Sequence, residues 1–328
     1  MRQAVAMGDV HPDLLPLARF IPRLSVTPRS LRAIRWASDR LGVPDLPRLH
    51  DVAVEDRWTP ATDHGPQVRV RWYRPAHRTD PVPALLWLHG GGYLFGLPEQ
   101  DEHLVLSIVR ELGIGVAAAD YRLAPEHPHP AALDDGHAAL RWLHAQAAGL
   151  GVDPDRLAVG GASAGGGLAA AVTLLAHDRG EVPVAFQLLV YPMLDDRTVV
   201  RAGHDTSDVR VWSARSNAFA WRSYLGAEPG GTDVSAYAAP ARREDLTGLP
   251  PTWIGVGTHD LFHDEDVAYA RRLDDAGVPC QLEVVPGAYH GFDNVSRSAP
   301  VVRDFRQGYV DALRSALLAP DEPAEVPT

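Results

Sequence analysis

The 328-residue chain carries 42 acidic against 31 basic residues, a formal net charge of −11, and is 45 % hydrophobic and 22 % charged. These proportions suit a globular protein of one large α/β domain or two modest ones, and an acidic chain without a basic stripe is a poor partner for nucleic acid. Every basic residue is an arginine, which excludes a Walker A lysine, a pyridoxal phosphate Schiff base and a Ser-Lys hydrolase.

In chain order, residues 1–48 are rich in Pro and Arg, with a helical piece "RSLRAIRWASDRLG" and no strand alternation. They are expected to form the first segment of a cap. The opening "MRQAVAMGDVHPDLLPLARF" has no apolar signal-peptide core and no run approaches a membrane span, so a cytoplasmic location is expected. From residue 50, "HDVAVEDRW" and "QVRVRWYRP" alternate as half-buried strands do. Then follow solidly apolar runs: "PALLWLHG", "GVAAADY", "RLAVGG", "FQLLVYP", "TWIGVGT" and "CQLEVVPG". Such runs fit strands covered on both faces, and the amphipathic stretches between them fit crossover helices. The expectation is an α/β chain with an eight-stranded, mostly parallel sheet flanked by helices. Residues 49–194 and 233–318 are expected to form this domain. Residues 195–232 interrupt the rhythm and are expected as an insertion that joins the N-terminal segment in a helical cap. The tail, 319–328, reads as disordered. The single cysteine, Cys280, allows no internal disulfide and reads as a small core residue.

Within the strand-helix series, "GASAG" (residues 161–165) stands between the apolar run "RLAVGG" and the helical run "GGLAAAVTLLAHD". Each glycine inside a helix costs about 1 kcal/mol relative to alanine, so a run of them around one hydroxyl needs a reason. A nucleophile elbow supplies it: the turn is too tight for side chains beside Ser163. Earlier, His89-Gly90-Gly91-Gly92 follows a strand, where unobstructed backbone N–H groups can form an oxyanion hole. His89 is expected to brace that loop as a buried, hydrogen-bonded histidine. A serine needs a base, and the base an orienting carboxylate, in the chain order Ser, acid, His. His290 follows the last strand between Gly287 and Gly291 and is the candidate base. Asp260 comes first after the strand "TWIGVGT", ahead of Asp264, Glu265 and Asp266, which fall on the next helix, where acids are expected for dipole reasons alone. Asp260 is therefore the candidate acid. Tyr191, Trp212, Phe219 and Trp221 are candidates for the substrate pocket or, equally, for the core of the cap.

Two other patterns carry less. "HDLFH" puts His259 and His263 four apart, as in a zinc helix, but it begins at a strand end with no third ligand, and no metal is expected. "GGGLAA" lies inside a helix rather than in the turn before one, so no nucleotide is expected.

Six ordered motifs, "HGGGY", "DYRLAPEHPHPAALDD", "GGASAGG", "LLVYPMLD", "THDLFHDE" and "PGAYHGF", give the chain from about residue 50 to 318 a specific likeness. It resembles the bacterial hormone-sensitive-lipase-like (family IV) esterases of the α/β-hydrolase fold. The resemblance implies Ser163, Asp260 and His290 as a triad, the backbone N–H groups of Gly91, Gly92 and Ala164 as oxyanion hole, and a helical cap. It further implies hydrolysis of short- to medium-chain acyl esters without a cofactor, and a homodimer. The chain departs from the family in having Ala162 where Asp or Thr usually precedes the serine, and Leu261-Phe262 where Pro-Leu usually follows the acid. A hydrolase of amides or aryl formamides would need the same residues. A non-catalytic small-molecule receptor on this fold would lack the histidine.

Overall fold

The apolar runs become the centre of one sheet because they have no polar face to give to water. In the computed structural model, which describes residues 10–21, 25–41, 50–63, 65–78, 81–201 and 209–318, the strands are β1 Val52–Trp58, β2 Arg69–Pro75, β3 Val82–Leu88, β4 Gly115–Asp120, β5 Val152–Ala162, β6 Phe186–Val190, β7 Thr252–His259 and β8 Cys280–Tyr289. They lie in the order β1-β2-β4-β3-β5-β6-β7-β8. β1 and β2, the two alternating segments, pair antiparallel at one edge, and every pairing from β4 to β8 is parallel. All seven residues of β3 are buried: Ala84, Leu86 and Leu88 enter one apolar cluster, Leu85 and Trp87 the other. This is the period-two alternation of a sheet covered on both faces.

Helices Ala131–Ala145, Ala164–Arg179 and His263–Asp275 cover one face, and Glu102–Leu112 and Pro300–Leu318 the other. The helix Ala164–Arg179 is buried on all sides from Ala164 to Ala176, which explains its lack of a polar stripe.

The N-terminal segment, expected as a single part of the cap, divides. Residues around His11–Ala18 pack on the sheet face of helix Pro300–Leu318: His11 N donates to Gly287 O at 3.0 Å, Val301 N to Asp13 Oδ2 at 3.1 Å, and Leu14 and Ala18 join the cluster of that helix. The segment 25–41, with helix Pro28–Leu41, lies instead on the other face, its first residues against the start of helix Ala214–Leu225. Val26 N donates to Ser216 Oγ at 2.8 Å, and Arg35 donates to Leu94 O and Ala124 O while pairing with Glu126. The physical reason for the division is the Pro-rich link between two short apolar pieces, each with its own surface to cover. The inserted residues 202–208 and the tail 319–328 lie outside the described residues. Cys280 is half-buried rather than core, with its thiol pushed up to about 12 by burial.

His137, on helix Ala131–Ala145, is buried, and that burial, with the Arg179 charge, lowers its imidazole to about 4. The unfolded residue takes a proton below about 6.5 while the folded one does not. Its contribution to stability is therefore complete above 6.5 and is lost as pH falls toward 4. Asp101, raised to about 6 by burial, works in the opposite sense, so the informative quantity is a difference. Urea unfolding of wild type and His137→Gln between pH 7 and 4 is expected to show the wild type losing stability relative to the variant by the slope of one proton. Parallel curves would show that His137 titrates alike in both states.

Candidate active site

Register brings the site together. Leu88 of β3 pairs with Gly161 of β5, Ala162 of β5 with Val190 of β6, and His259 of β7 with Tyr289 of β8. The residue after each partner except Gly161 is a site candidate: His89, Ser163, Tyr191, Asp260 and His290. All emerge at the carboxyl edge of the parallel strands, where α/β sheets hold their ligands.

Ser163 sits at φ 58° and ψ −122°, a conformation that costs a non-glycine residue about 1–3 kcal/mol. Its neighbours hold it there. Ser163 N donates to Val190 O at 2.9 Å, and Ser163 O accepts from Gly167 N at 3.0 Å and Met193 N at 2.9 Å. A Cβ on Gly161 would stand 2.3 Å from Gly165 O, and one on Gly165 would stand 2.1 Å from Leu88 O. The glycines are thus points where three backbone segments touch.

His290 joins the other two groups. Its Nδ1–H donates to Asp260 Oδ2 at 2.8 Å, and Ser163 Oγ donates to its Nε2 at 2.9 Å. The other Asp260 oxygen accepts from Phe262 N at 3.0 Å, so the carboxylate is held at both ends. All three residues are buried. Phe262 and Tyr191 each lie edge-on to the His290 ring, with centroids 5.2 and 4.8 Å away.

The glycine loop folds back on itself beside Ser163. Gly91 and Gly92 take φ of +124° and +63°, and Gly91 O accepts from Leu94 N and Phe95 N. Among the described residues, the N–H groups of Gly91, Gly92 and Ala164 donate to no other group. Ala164 is the first residue of its helix, so no carbonyl lies one turn before it. His89 is buried beneath, stacked on Tyr121 at 4.2 Å, with Nδ1 2.8 Å from Gly90 O. Burial lowers its imidazole to about 4, so the ring is neutral and its Nδ1 carries the proton given to that carbonyl.

The pocket candidates separate. Trp212 lies on the glycine loop, where a Cβ on Gly92 would stand 2.3 Å from its Cη2. Trp221 is fully buried and packs with Tyr93 and Tyr224, while Phe219 is partly buried at the edge of the same cluster. Tyr191 stands behind His290, and its hydroxyl donates to Asp293 Oδ1 at 2.7 Å. A cavity of about 510 Å³ among Pro60, His137, Arg141, Trp142, Arg179 and Glu181 contains none of these residues.

The acids after Asp260 correct the dipole reading. Asp264 is exposed as a helix-start acid should be, but Glu265 and Asp266 are buried. Glu265 accepts from Leu194 N at 2.7 Å, from Asp195 N at 3.1 Å and from the Thr198 hydroxyl. It therefore anchors the loop whose Met193 N–H holds Ser163 O. Burial pushes Glu265 up to about 8 and Asp266 well above the carboxylate range, the latter with both oxygens unpaired among the described residues. Sequence reading missed these two because a surface acid and a buried one look alike in a polar helix start. His259 ends β7, and among the described residues no group of three His, Cys, Asp or Glu is arranged to hold a metal. No described helix is long and apolar enough to cross a membrane.

Known proteins are similar to this chain in sequence and in fold. A family model described as alpha/beta hydrolase fold matches residues 85–294. The carboxylesterase NlhH of Mycobacterium tuberculosis is 36 % identical over 96 % of this chain and 98 % of its own length. The ethyl acetate hydrolase of Pseudomonas putida is 34 % identical over 76 % of the chain and 78 % of its own. The structure of a bacterial heroin esterase superposes with a TM-score of 0.88 at 38 % identity, covering 95 % of this chain and 99 % of that one. The chain belongs to the bacterial hormone-sensitive-lipase-like esterases of the α/β-hydrolase fold.

Proposed function

We propose that the protein hydrolyses short- to medium-chain carboxylic esters through an acyl-enzyme on Ser163. The observation that carries the reading is the bridge through His290, 2.9 Å to Ser163 Oγ and 2.8 Å to Asp260 Oδ2. His290 Nε2 takes the hydroxyl proton as Oγ bonds to the ester carbonyl carbon. The carbonyl oxygen becomes an oxyanion facing the N–H groups of Gly91, Gly92 and Ala164, and Asp260 stabilises the imidazolium. Collapse breaks the bond to the alcohol oxygen, which leaves with the proton from Nε2. Water then gives a proton to the same nitrogen and attacks the acyl carbon, and the acid departs as Ser163 regains its hydrogen. Helix Pro28–Leu41 and the insertion that holds helix Ala214–Leu225 form the cap, with Trp212 as the wall nearest the glycine loop. The relatives named for carboxylic esters and ethyl acetate support a small ester substrate.

A dialkyl fluorophosphate tests this directly. It is expected to abolish p-nitrophenyl butyrate hydrolysis at one equivalent and to leave its adduct on the peptide holding Ser163. Hydrolysis that persists after full labelling, or an adduct elsewhere, would refute the mechanism. Turnover of an aryl formamide faster than of the ester would move the substrate class to amides with the same residues.

A further inference from the structure

A planar peptide unit couples its two polar groups: where the carbonyl is held, the N–H on the opposite side is aimed. Both glycine donors of the proposed oxyanion hole are aimed in this way. The Gly91–Gly92 unit is held by Leu94 N and Phe95 N on Gly91 O, at 3.0 and 3.2 Å. On the Gly90–Gly91 unit, Gly90 O has no backbone donor among the described residues; two side chains hold it instead, His89 Nδ1 at 2.8 Å and Gln100 Nε2 at 3.1 Å. Gln100 reaches this carbonyl from the short turn Pro98–Asp101, which is tied down on either side of it. Glu99 takes a two-pronged bond from Arg69 at 2.6 and 3.0 Å, and Asp101 accepts from Trp87 Nε1 at 2.9 Å. The space around the carbonyl is closed: a Cβ on Gly96 would stand 2.6 Å from Gly90 O and 2.5 Å from His89 Nδ1.

From this geometry we infer that Gln100 is a positioning residue for the oxyanion hole, acting on the Gly91 N–H through the Gly90 carbonyl. Two donors on one carbonyl also polarise the peptide, which strengthens its N–H as a donor. His89 is stacked and buried and cannot be exchanged without loss of packing. Gln100 is an exposed residue, so its amide is the adjustable one of the pair. The inference rests on the proposed reading of Gly91 as an oxyanion donor.

The test compares wild type, Gln100→Leu and Gln100→Glu, measuring kcat and KM for p-nitrophenyl acetate and the affinity of an aryl trifluoromethyl ketone, whose serine adduct places an oxyanion in the hole. Gln100→Leu is expected to lower kcat about fivefold, leave KM within twofold, and weaken the ketone by the same factor as kcat/KM, at an unchanged melting temperature. A net hydrogen bond of about 1 kcal/mol corresponds to that factor. Gln100→Glu separates positioning from packing. Its carboxylate has no proton to donate, so it is expected to match the leucine variant at pH 8. As pH falls toward 5, the protonated carboxyl donates again and the ratio to wild type recovers. Variants within twofold of wild type in both kcat and ketone affinity would overturn the inference, as would losses that track melting temperature without low-pH recovery. A wild type that neither hydrolyses the ester nor captures the ketone would refute the reading of the site itself, and the inference with it. Activity and capture in wild type with no change in the variants would refute the inference alone.

Discussion

Ser163→Ala is expected to lower kcat for p-nitrophenyl butyrate by about 10⁵- to 10⁶-fold, and His290→Ala by a similar factor, with the double variant no worse than either. The two are expected to act as a unit: the alanine at 163 leaves nothing to attack, and loss of His290 removes the acceptor that the hydroxyl meets at 2.9 Å. Asp260→Asn is expected to cost about 10⁴-fold for a different reason. Phe262 N donates to one carboxylate oxygen, so the amide carbonyl of the variant takes that place and its NH₂ faces His290 Nδ1. The ring must then accept at Nδ1 and carry its proton on Nε2, where Ser163 needs a free lone pair. KM should change little in all three, because these groups act on the reacting atoms. Steady-state kinetics on protein freed of host esterases checks the order. An Asp260→Asn variant within tenfold of wild type would show that another group orients the imidazole, and multiplicative losses in the double variant would show that Ser163 and His290 work independently.

The second large effect is on folding. Gly165→Ala is expected to destabilise the protein by about 3 kcal/mol or more and to remove activity from whatever folds. The added carbon would lie 2.1 Å from Leu88 O and 2.4 Å from His89 O. Both neighbours are backbone, at the point where β3 passes into the glycine loop, so relief moves either the turn at Ser163 or that loop. Gly149→Ala is the control. It lies in the short helix Ala147–Leu150 with nothing within 4 Å of the added carbon, and is expected to raise stability by up to about 1 kcal/mol. Urea unfolding of both variants checks the pair. Equal midpoints would mean that the close approach of β3 to the elbow can relax without cost.

The strands were legible because continuous apolar runs leave no alternative to burial on both faces, and all eight segments read from the sequence are strands. The candidate nucleophile stood out because a serine among glycines between a strand and a helix has few other uses. The acid was less so. Four carboxylates follow β7 within seven residues, and composition ranks them only by order along the chain. Glu265 illustrates the limit: its role depends on Leu194, Asp195 and Thr198, about 70 positions earlier in sequence, and no local pattern announces a contact at that distance. Gln100 was invisible for the same reason, since a glutamine in a polar turn has no local mark of the carbonyl it reaches. The N-terminal segment misled because two short apolar pieces joined by prolines look continuous in composition while each finds its own surface.

By itself, then, the amino-acid sequence determined the periodicities, the order of strand and helix, and the residue types able to carry the chemistry. These are consequences of burial and backbone sterics acting over a few neighbouring residues. Register across the sheet was decided only in the tertiary structure. The pairing of His259 with Tyr289 brings Asp260 beside His290, the pairing of Leu88 with Gly161 brings the glycine loop beside Ser163, and packing beneath them decides which acids leave water. Such juxtapositions follow from how strands far apart in the chain align, which depends on the packing of the whole sheet.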